Sequence, residues 1–349
     1  MATGLRFISR KLLRAGIAGC IWLDMHECVL IECMAVNPQS KHRWTPTATL
    51  LLLCFLLAIG AMRSDLFPDP SSSSSPQWGR EALAFALLAA VAAAYAAARK
   101  STWPRGRQLL SIILMSLALF VAPSLLMNFS QNWVSAFTRV ALFSLVPIFA
   151  IVFEPYIGSA SDSKFGSALL AALVSLVGML CVFPVDIPNS IEAGAAFIAV
   201  IIAAAIVAGA NCYAVHLANN LPPNALAPMA AIAGAVATFG LILTGAFTQS
   251  FTQTLRITGN DFAWSALVTL PGLLLLFWLL PHISATRITT RFLLAPLIAI
   301  LISMAIDRPS VAPRIWLGLL LIATGAAGLL FAPNDPADTT TSTLNLHRE

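Results

Sequence analysis

The sequence predicts an all-α polytopic membrane protein with ten transmembrane helices, arranged as two inverted five-helix repeats. Its composition is 58% hydrophobic and 10% charged, whereas a soluble domain carries about 25% charged residues. Many apolar runs are close to twenty residues long, which is enough to cross a hydrocarbon core about 30 Å thick. A repeat with a long period divides these runs into two groups of five.

The repeat is clearest in residues 135–151 and 284–300. Both segments begin with Ser-Ala, carry arginine near the start, and end in proline followed by small and aliphatic residues. Their prolines, Pro147 and Pro296, are 149 residues apart. A period of this length indicates a duplicated structural unit.

Ten spans follow the same period, and each member of the second series lies about 149 residues after its counterpart. We expect spans near residues 45–62, 81–98, 109–130, 132–154 and 166–184, and then near 193–218, 225–248, 262–281, 284–306 and 314–332. The chain then divides into a basic tail, a first repeat, a second repeat and a polar, disordered tail: 1–44, 45–184, 185–333 and 334–349.

The first 44 residues are unlike the rest, because charged residues interrupt every apolar run. Met34 is an alternative start, since translation from it would leave an ordinary short basic tail before the first span. The six cysteines show no zinc spacing. With no phosphate-binding glycine loop and no metal-ligand pair either, we expect no enzyme activity, no cofactor, no metal and no nucleic-acid partner.

Basic residues predict the orientation, because loops on the cytoplasmic side are rich in lysine and arginine. The tail carries six such residues, and the connection after the second span carries four: Arg99, Lys100, Arg105 and Arg107. Both termini are therefore expected in the cytoplasm, in a multi-pass protein of the inner (cytoplasmic) membrane. Since five is odd, the second repeat must enter the bilayer from the opposite face, as in transporters with inverted repeats.

Two arginines lie within predicted spans, where ionisable residues are costly and usually functional. Arg139 is expected about seven residues, or roughly 10 Å, into the fourth span. Arg291 is expected at a similar depth in the ninth, entered from the other face. We predict that both line a central cavity and attract an anionic group, such as a carboxylate or phosphate. Alternatively, they pair with a helix-end acid or a backbone carbonyl, while Arg287 extends to the interface.

Four other polar residues are candidates for binding the solute. Asn211, Tyr213 and His216 lie in the sixth span, where Tyr213 and His216 are spaced to share one helix face. His216 could carry a coupling proton, or could simply be an interfacial histidine. Asn128 lies where the third and fourth spans meet, and could gate or form a polar turn.

Proline and glycine give a further pattern. Pro147 and Pro296 each remove a backbone hydrogen bond in mid-helix, which is tolerated where the helix faces protein or a wet cavity, and suits a gate. Glycines in the fifth, seventh and tenth spans favour close contact between helices.

In their order these features resemble the EamA family of the drug/metabolite transporter superfamily, over about residues 45–333. The resemblance rests on the Ser-Ala start with Arg139, on Pro147 and Pro296, and on the glycine-rich closing helices. It implies ten helices in two inverted repeats and secondary active transport, usually export, of small metabolites. One departure is that Glu154 comes early, where the family usually has a Gly-Glu pair in the following loop.

We therefore expect a secondary transporter, and an exporter by resemblance, that moves a small organic metabolite across the bilayer by alternating access. A homodimer is left open. The alternative is a membrane scaffold protein that retains the fold without transport. An intramembrane enzyme is disfavoured for want of paired acids.

Overall fold

Helices account for all the regular secondary structure that the computed structural model describes, namely within residues 46–62, 77–157, 165–248, 258–307 and 312–331. The predicted tails, and with them the alternative start at Met34, lie outside the described residues. We number the helices α1 to α10: Pro46–Ala61, Gln77–Ala98, Arg107–Ser130, Ala136–Ile157, Phe165–Val182, Ile191–Asn220, Leu226–Thr248, Gly259–Leu279, Ala285–Asp307 and Pro313–Phe331.

The lengths of these helices agree with a multi-pass membrane protein. Among the described residues, nine helices of 18 to 30 residues are apolar enough to span a bilayer, and α1 is an apolar helix of 16 residues. Each helix begins and ends within a few residues of its predicted span. The largest shifts are of four residues: α2 begins four residues earlier than expected, and α4 begins four residues later. Helix α4 begins late because the Ser135 side chain accepts a hydrogen bond from the Thr138 N–H at 3.3 Å and caps the helix there.

Two helices contain equivalent π turns. These occupy Leu117–Val121 in α3 and Ser265–Thr269 in α8, and a proline follows two residues later in each case, Pro123 and Pro271. A proline lacks the N–H that would bond to the carbonyl four residues earlier, and a wider turn accommodates that loss. The two turns lie 148 residues apart, close to the period of the repeat.

Glycines bring two helix pairs into close contact, as the sequence predicted. A Cβ atom added to Gly178 on α5 would lie 2.7 Å from the Gly318 carbonyl oxygen and from the Ile322 nitrogen on α10. One added to Gly234 on α7 would lie 2.8 Å from the Phe85 carbonyl oxygen on α2. Because backbone would meet side chain at these points, only glycine permits this spacing.

The remaining helices pair in a reciprocal pattern. Helix α6 packs against α3 and α4, while α1 packs against α8 and α9. Exchanging every helix for the one five positions away in the chain converts the first pair of contacts into the second. The same exchange leaves the α5–α10 and α2–α7 contacts unchanged. Helices α1, α4, α6 and α9 therefore form the setting of the site described next.

Candidate functional site

Arg291 lies where α9 is interrupted. The helix runs from Ala285 to Thr289, pauses at Thr290, and resumes at Arg291. The Thr290 hydroxyl donates to the Arg287 carbonyl at 2.6 Å, and the Leu294 N–H donates to the Thr290 carbonyl at 2.9 Å, so the backbone stays bonded through the break. Only 6% of the Arg291 surface is exposed. The arginine side chain therefore lies inside the helix bundle.

Asn211 on α6 holds this guanidinium. Arg291 Nη2 donates to Asn211 Oδ1 at 3.1 Å, and Asn211 Nδ2 donates to the Val207 carbonyl at 2.7 Å. The second bond orients the amide, because its nitrogen must face Val207 and its oxygen must then face the arginine. Asn211 is fully buried. Two of the six predicted solute-binding residues, 80 positions apart in the chain, are therefore in direct contact.

The other end of the guanidinium lacks such a partner. Arg291 Nη1 is buried and makes no hydrogen bond with any described residue. The Arg291 Cζ atom lies 4.8 Å from the centroid of the Phe292 ring, and the rings of Phe292 and Phe143 on α4 are 6.0 Å apart. The guanidinium thus contacts the Asn211 amide and the Phe292 ring, and the two N–H groups of Nη1 form no hydrogen bond with the described residues.

No described carboxylate forms an ion pair with Arg291. The Arg291 guanidinium interacts electrostatically with the buried thiol of Cys54 on α1. Cys54 is the ninth of the sixteen residues of α1, so the guanidinium is level with the middle of that helix. A buried cation without a counter-charge costs several kcal/mol. Ionisable residues within membrane spans are rare and usually functional.

A second polar cluster joins the end of α4 to the start of α9. Glu154 accepts hydrogen bonds from the Thr286 hydroxyl and from the backbone N–H groups of Ala285 and Thr286, and it also interacts with Arg287. A carboxylate in this position satisfies orphan N–H groups and complements the helix dipole. Glu154 lies within α4, at the end of the span predicted from the sequence, and the helix continues to Ile157.

The same contact makes α4 and α9 antiparallel neighbours. Arg139 is the fourth residue of α4 and not the seventh, because the helix begins at Ala136. From Glu154 it lies fifteen residues back along α4, while Arg291 lies five residues on from Thr286. Arg139 is half-buried, and its Nε atom is buried without a hydrogen-bond partner among the described residues.

The remaining candidates lie elsewhere. Tyr213 and His216 contact each other, with ring centroids 6.5 Å apart, and the exposed His216 ring lies 3.0 Å from the Asn220 amide. On a helix, His216 points roughly 140° away from Asn211. Asn128 is half-buried near the end of α3. None of these three residues is among the contacts of Arg291 described above.

The two prolines differ in their relation to the helix breaks. Helix α4 is interrupted at Ser144 and Leu145, and Pro147 is the second residue of the resumed segment, where a missing N–H has little cost. Pro296 lies inside a continuous segment that began at Arg291. The break in α4 therefore adjoins Pro147, whereas the break in α9, at Thr290, comes six residues before Pro296.

Sequence reasoning missed Glu154 and Thr286 as partners, and Cys54 and Phe292 as neighbours of Arg291. Glu154 carried a usable signal, because an acid inside an apolar run deserves the same scrutiny as an arginine. For Thr286, Cys54 and Phe292 nothing in the composition of their segments distinguishes them from packing residues.

Comparison with known proteins concerns the fold alone. No family model matches the chain, and no curated protein matches its sequence. A solved structure described as "Crystal structure of protein" is similar, with a TM-score of 0.64 and 15% sequence identity, over 82% of this chain and 99% of that chain. The chain therefore has a fold already seen in a solved structure, and this similarity carries no information about activity.

Proposed function

We propose that the protein is a secondary transporter that moves a small organic solute across the cytoplasmic membrane by alternating access, as the resemblance to the EamA family implies. The observation that carries this proposal is the reciprocal packing of the two groups of five helices. Their π turns recur with nearly the period of the sequence repeat, and their helix contacts exchange when the groups are exchanged.

Reciprocal packing matters because it offers two states of similar energy. In an inverted repeat, each half can adopt the conformation of the other, and the cavity then opens on the opposite side. The antiparallel contact of α4 and α9, through Glu154 and Thr286, supports the inverted arrangement. The basic connection after α2 favours a cytoplasmic location for that side of the bilayer, and for both termini with it.

The alternative is a membrane scaffold protein with the same fold. A scaffold has no use for a buried arginine with unused N–H groups, because an apolar residue of similar size would be neutral or stabilising there. Arg291 therefore favours transport over a purely structural role.

The proposal can be tested by joining the two repeats. The variant Glu154→Cys with Thr286→Cys, in a cysteine-free background, places two thiols at a contact between α4 and α9. Proteoliposomes would be screened with pooled radiolabelled amino acids, carboxylic acids, sugars and nucleosides. We expect uptake of at least one pool, and expect a short thiol cross-linker to stop it.

The matched control is the same variant treated with N-ethylmaleimide, which modifies both thiols without joining them. Loss of uptake after cross-linking alone supports alternating access, because the helices must separate during transport. Full uptake after complete cross-linking contradicts it, and so does the absence of uptake of every pool.

A further inference from the structure

We propose that Arg291 and Asn211 form a binding site for the carboxylate group of a monoanionic solute. The site deepens the proposed function and rests on it for transport, although binding can be measured without transport. A carboxylate would accept hydrogen bonds from Arg291 Nη1 and from the second hydrogen of Nη2, whose first hydrogen already bonds to Asn211.

The geometry of the guanidinium suits this ligand. Arginine binds a carboxylate through two parallel N–H groups, and an end-on pair uses one hydrogen from each Nη nitrogen. Asn211 Oδ1 accepts a hydrogen bond from Nη2, and the Asn211 amide is itself held by the Val207 carbonyl. The donor pair is thus oriented before the ligand arrives, which reduces the entropy lost on binding.

Charge limits the ligand to one negative charge. Arg291 supplies one positive charge, and its described contacts contain neither a second cation nor a carboxylate. A phosphate monoester would bring a second negative charge that remains uncompensated. A zwitterionic amino acid would bring an ammonium group without an acidic partner. Both penalties are large in a buried, weakly polar setting.

The neighbouring rings indicate what the rest of the solute is like. Phe292 lies beside the guanidinium, and Phe143 from α4 lies 6.0 Å from Phe292. These apolar groups favour an apolar body attached to the carboxylate. Arg139, on α4, is not among the described contacts of Arg291.

The experiment uses the purified full chain in detergent and three probes that share a phenyl group: 3-phenylpropionate, phenylalanine and phenyl phosphate. 3-Phenylpropionate carries one negative charge, phenylalanine is zwitterionic, and phenyl phosphate carries up to two negative charges. Binding would be followed by thermal stabilisation and by calorimetry. We expect 3-phenylpropionate to bind at least tenfold more tightly than the other two. Arg291→Gln should weaken it at least tenfold, whereas the matched control Arg314→Gln, at an exposed arginine near the start of α10, should leave it unchanged.

A second measurement separates a binding role from a structural one. The double variant Arg291→Met with Asn211→Leu removes both polar partners together. If the arginine serves to bind an anion, the ligand-free variant should unfold at the same temperature as the ligand-free wild type or at a higher one, because an uncompensated buried charge has been removed. A clear fall in that temperature would indicate a structural arginine and overturn the proposal.

The remaining outcomes are also decisive. Tighter binding of phenyl phosphate or phenylalanine overturns the monocarboxylate assignment, and so does equal binding by wild type and Arg291→Gln. If 3-phenylpropionate binds neither to the wild type nor to any variant, the proposal is overturned as well. If the wild type binds 3-phenylpropionate but proteoliposomes show no uptake, the carboxylate site is supported and the proposed transport function is contradicted. If an uncharged solute is taken up equally by Arg291→Gln, transport stands and the site falls.

Discussion

The α5–α10 contact and the α4–α9 contact both join one group of five helices to the other, yet they are built differently. Between α5 and α10 the surfaces are apolar and close, with Gly178 and Gly318 letting the backbones approach. Between α4 and α9 the contact is polar, and the two helices begin with different caps. Helix α4 is capped by its own Ser135, whereas α9 is capped by Glu154 from α4.

This difference separates packing from chemistry. A close apolar contact needs only small residues on both sides, so it can be symmetric. A polar site needs a particular donor and a particular acceptor, and each of these has to occur only once in the chain. Arg291 occurs in one copy, and the residue 149 positions earlier is the buried Leu142. The functional chemistry is therefore expected where the two copies differ.

The largest effect is expected from Asn211→Asp, which would place a carboxylate against Arg291 Nη2 in place of the amide oxygen. The arginine then has an internal counter-ion, and a solute carboxylate must compete with it. We expect 3-phenylpropionate to bind about 100-fold more weakly, or about 2.7 kcal/mol, in calorimetry. Asn211→Ala is the matched control, with a loss of about tenfold or less. Equal binding by Asn211→Asp and wild type would show that the solute does not use Arg291.

The next effect concerns the α5–α10 contact. Gly178→Ala would drive a methyl group into the backbone of α10 at Gly318 and Ile322. We expect the free energy of unfolding to fall by about 2–3 kcal/mol, since overpacked cores lose stability on this scale. The control is Gly166→Ala in the same helix, where an added Cβ meets nothing within 4 Å. Thermal unfolding in detergent compares the two, and equal midpoints would contradict the close contact.

The smallest effect compares the two helix starts. Glu154→Ala removes a charged acceptor from the Thr286 hydroxyl and from two backbone N–H groups, so we expect a loss of about 1.5–2 kcal/mol. Ser135→Ala removes a neutral cap from α4, with an expected loss of about 1 kcal/mol. Thermal midpoints of the two variants give the order. A larger loss in Ser135→Ala would mean that Glu154 is not the principal cap of α9.

The sequence by itself determined the membrane class and the approximate positions of helices α1 to α10. These properties are local, because hydropathy depends on composition over about twenty residues and a repeat is visible in the residue order. The close contacts at Gly178 and Gly234 were also predictable, since glycine in an apolar helix has few other uses. Arg291 and Asn211 could each be named as candidates, because a polar group in a span is costly.

Only the tertiary structure decided which of these groups meet. The pairing of Arg291 with Asn211, the capping of α9 by Glu154 and the shallow position of Arg139 all depend on how helices distant in sequence rotate and slide against one another. Nearly uniform apolar faces leave that rotation undetermined. Hydrogen bonds between helices are directional and extend only about 3 Å. Small shifts in packing therefore decide whether a polar side chain forms a hydrogen bond within the protein or is left available for a ligand.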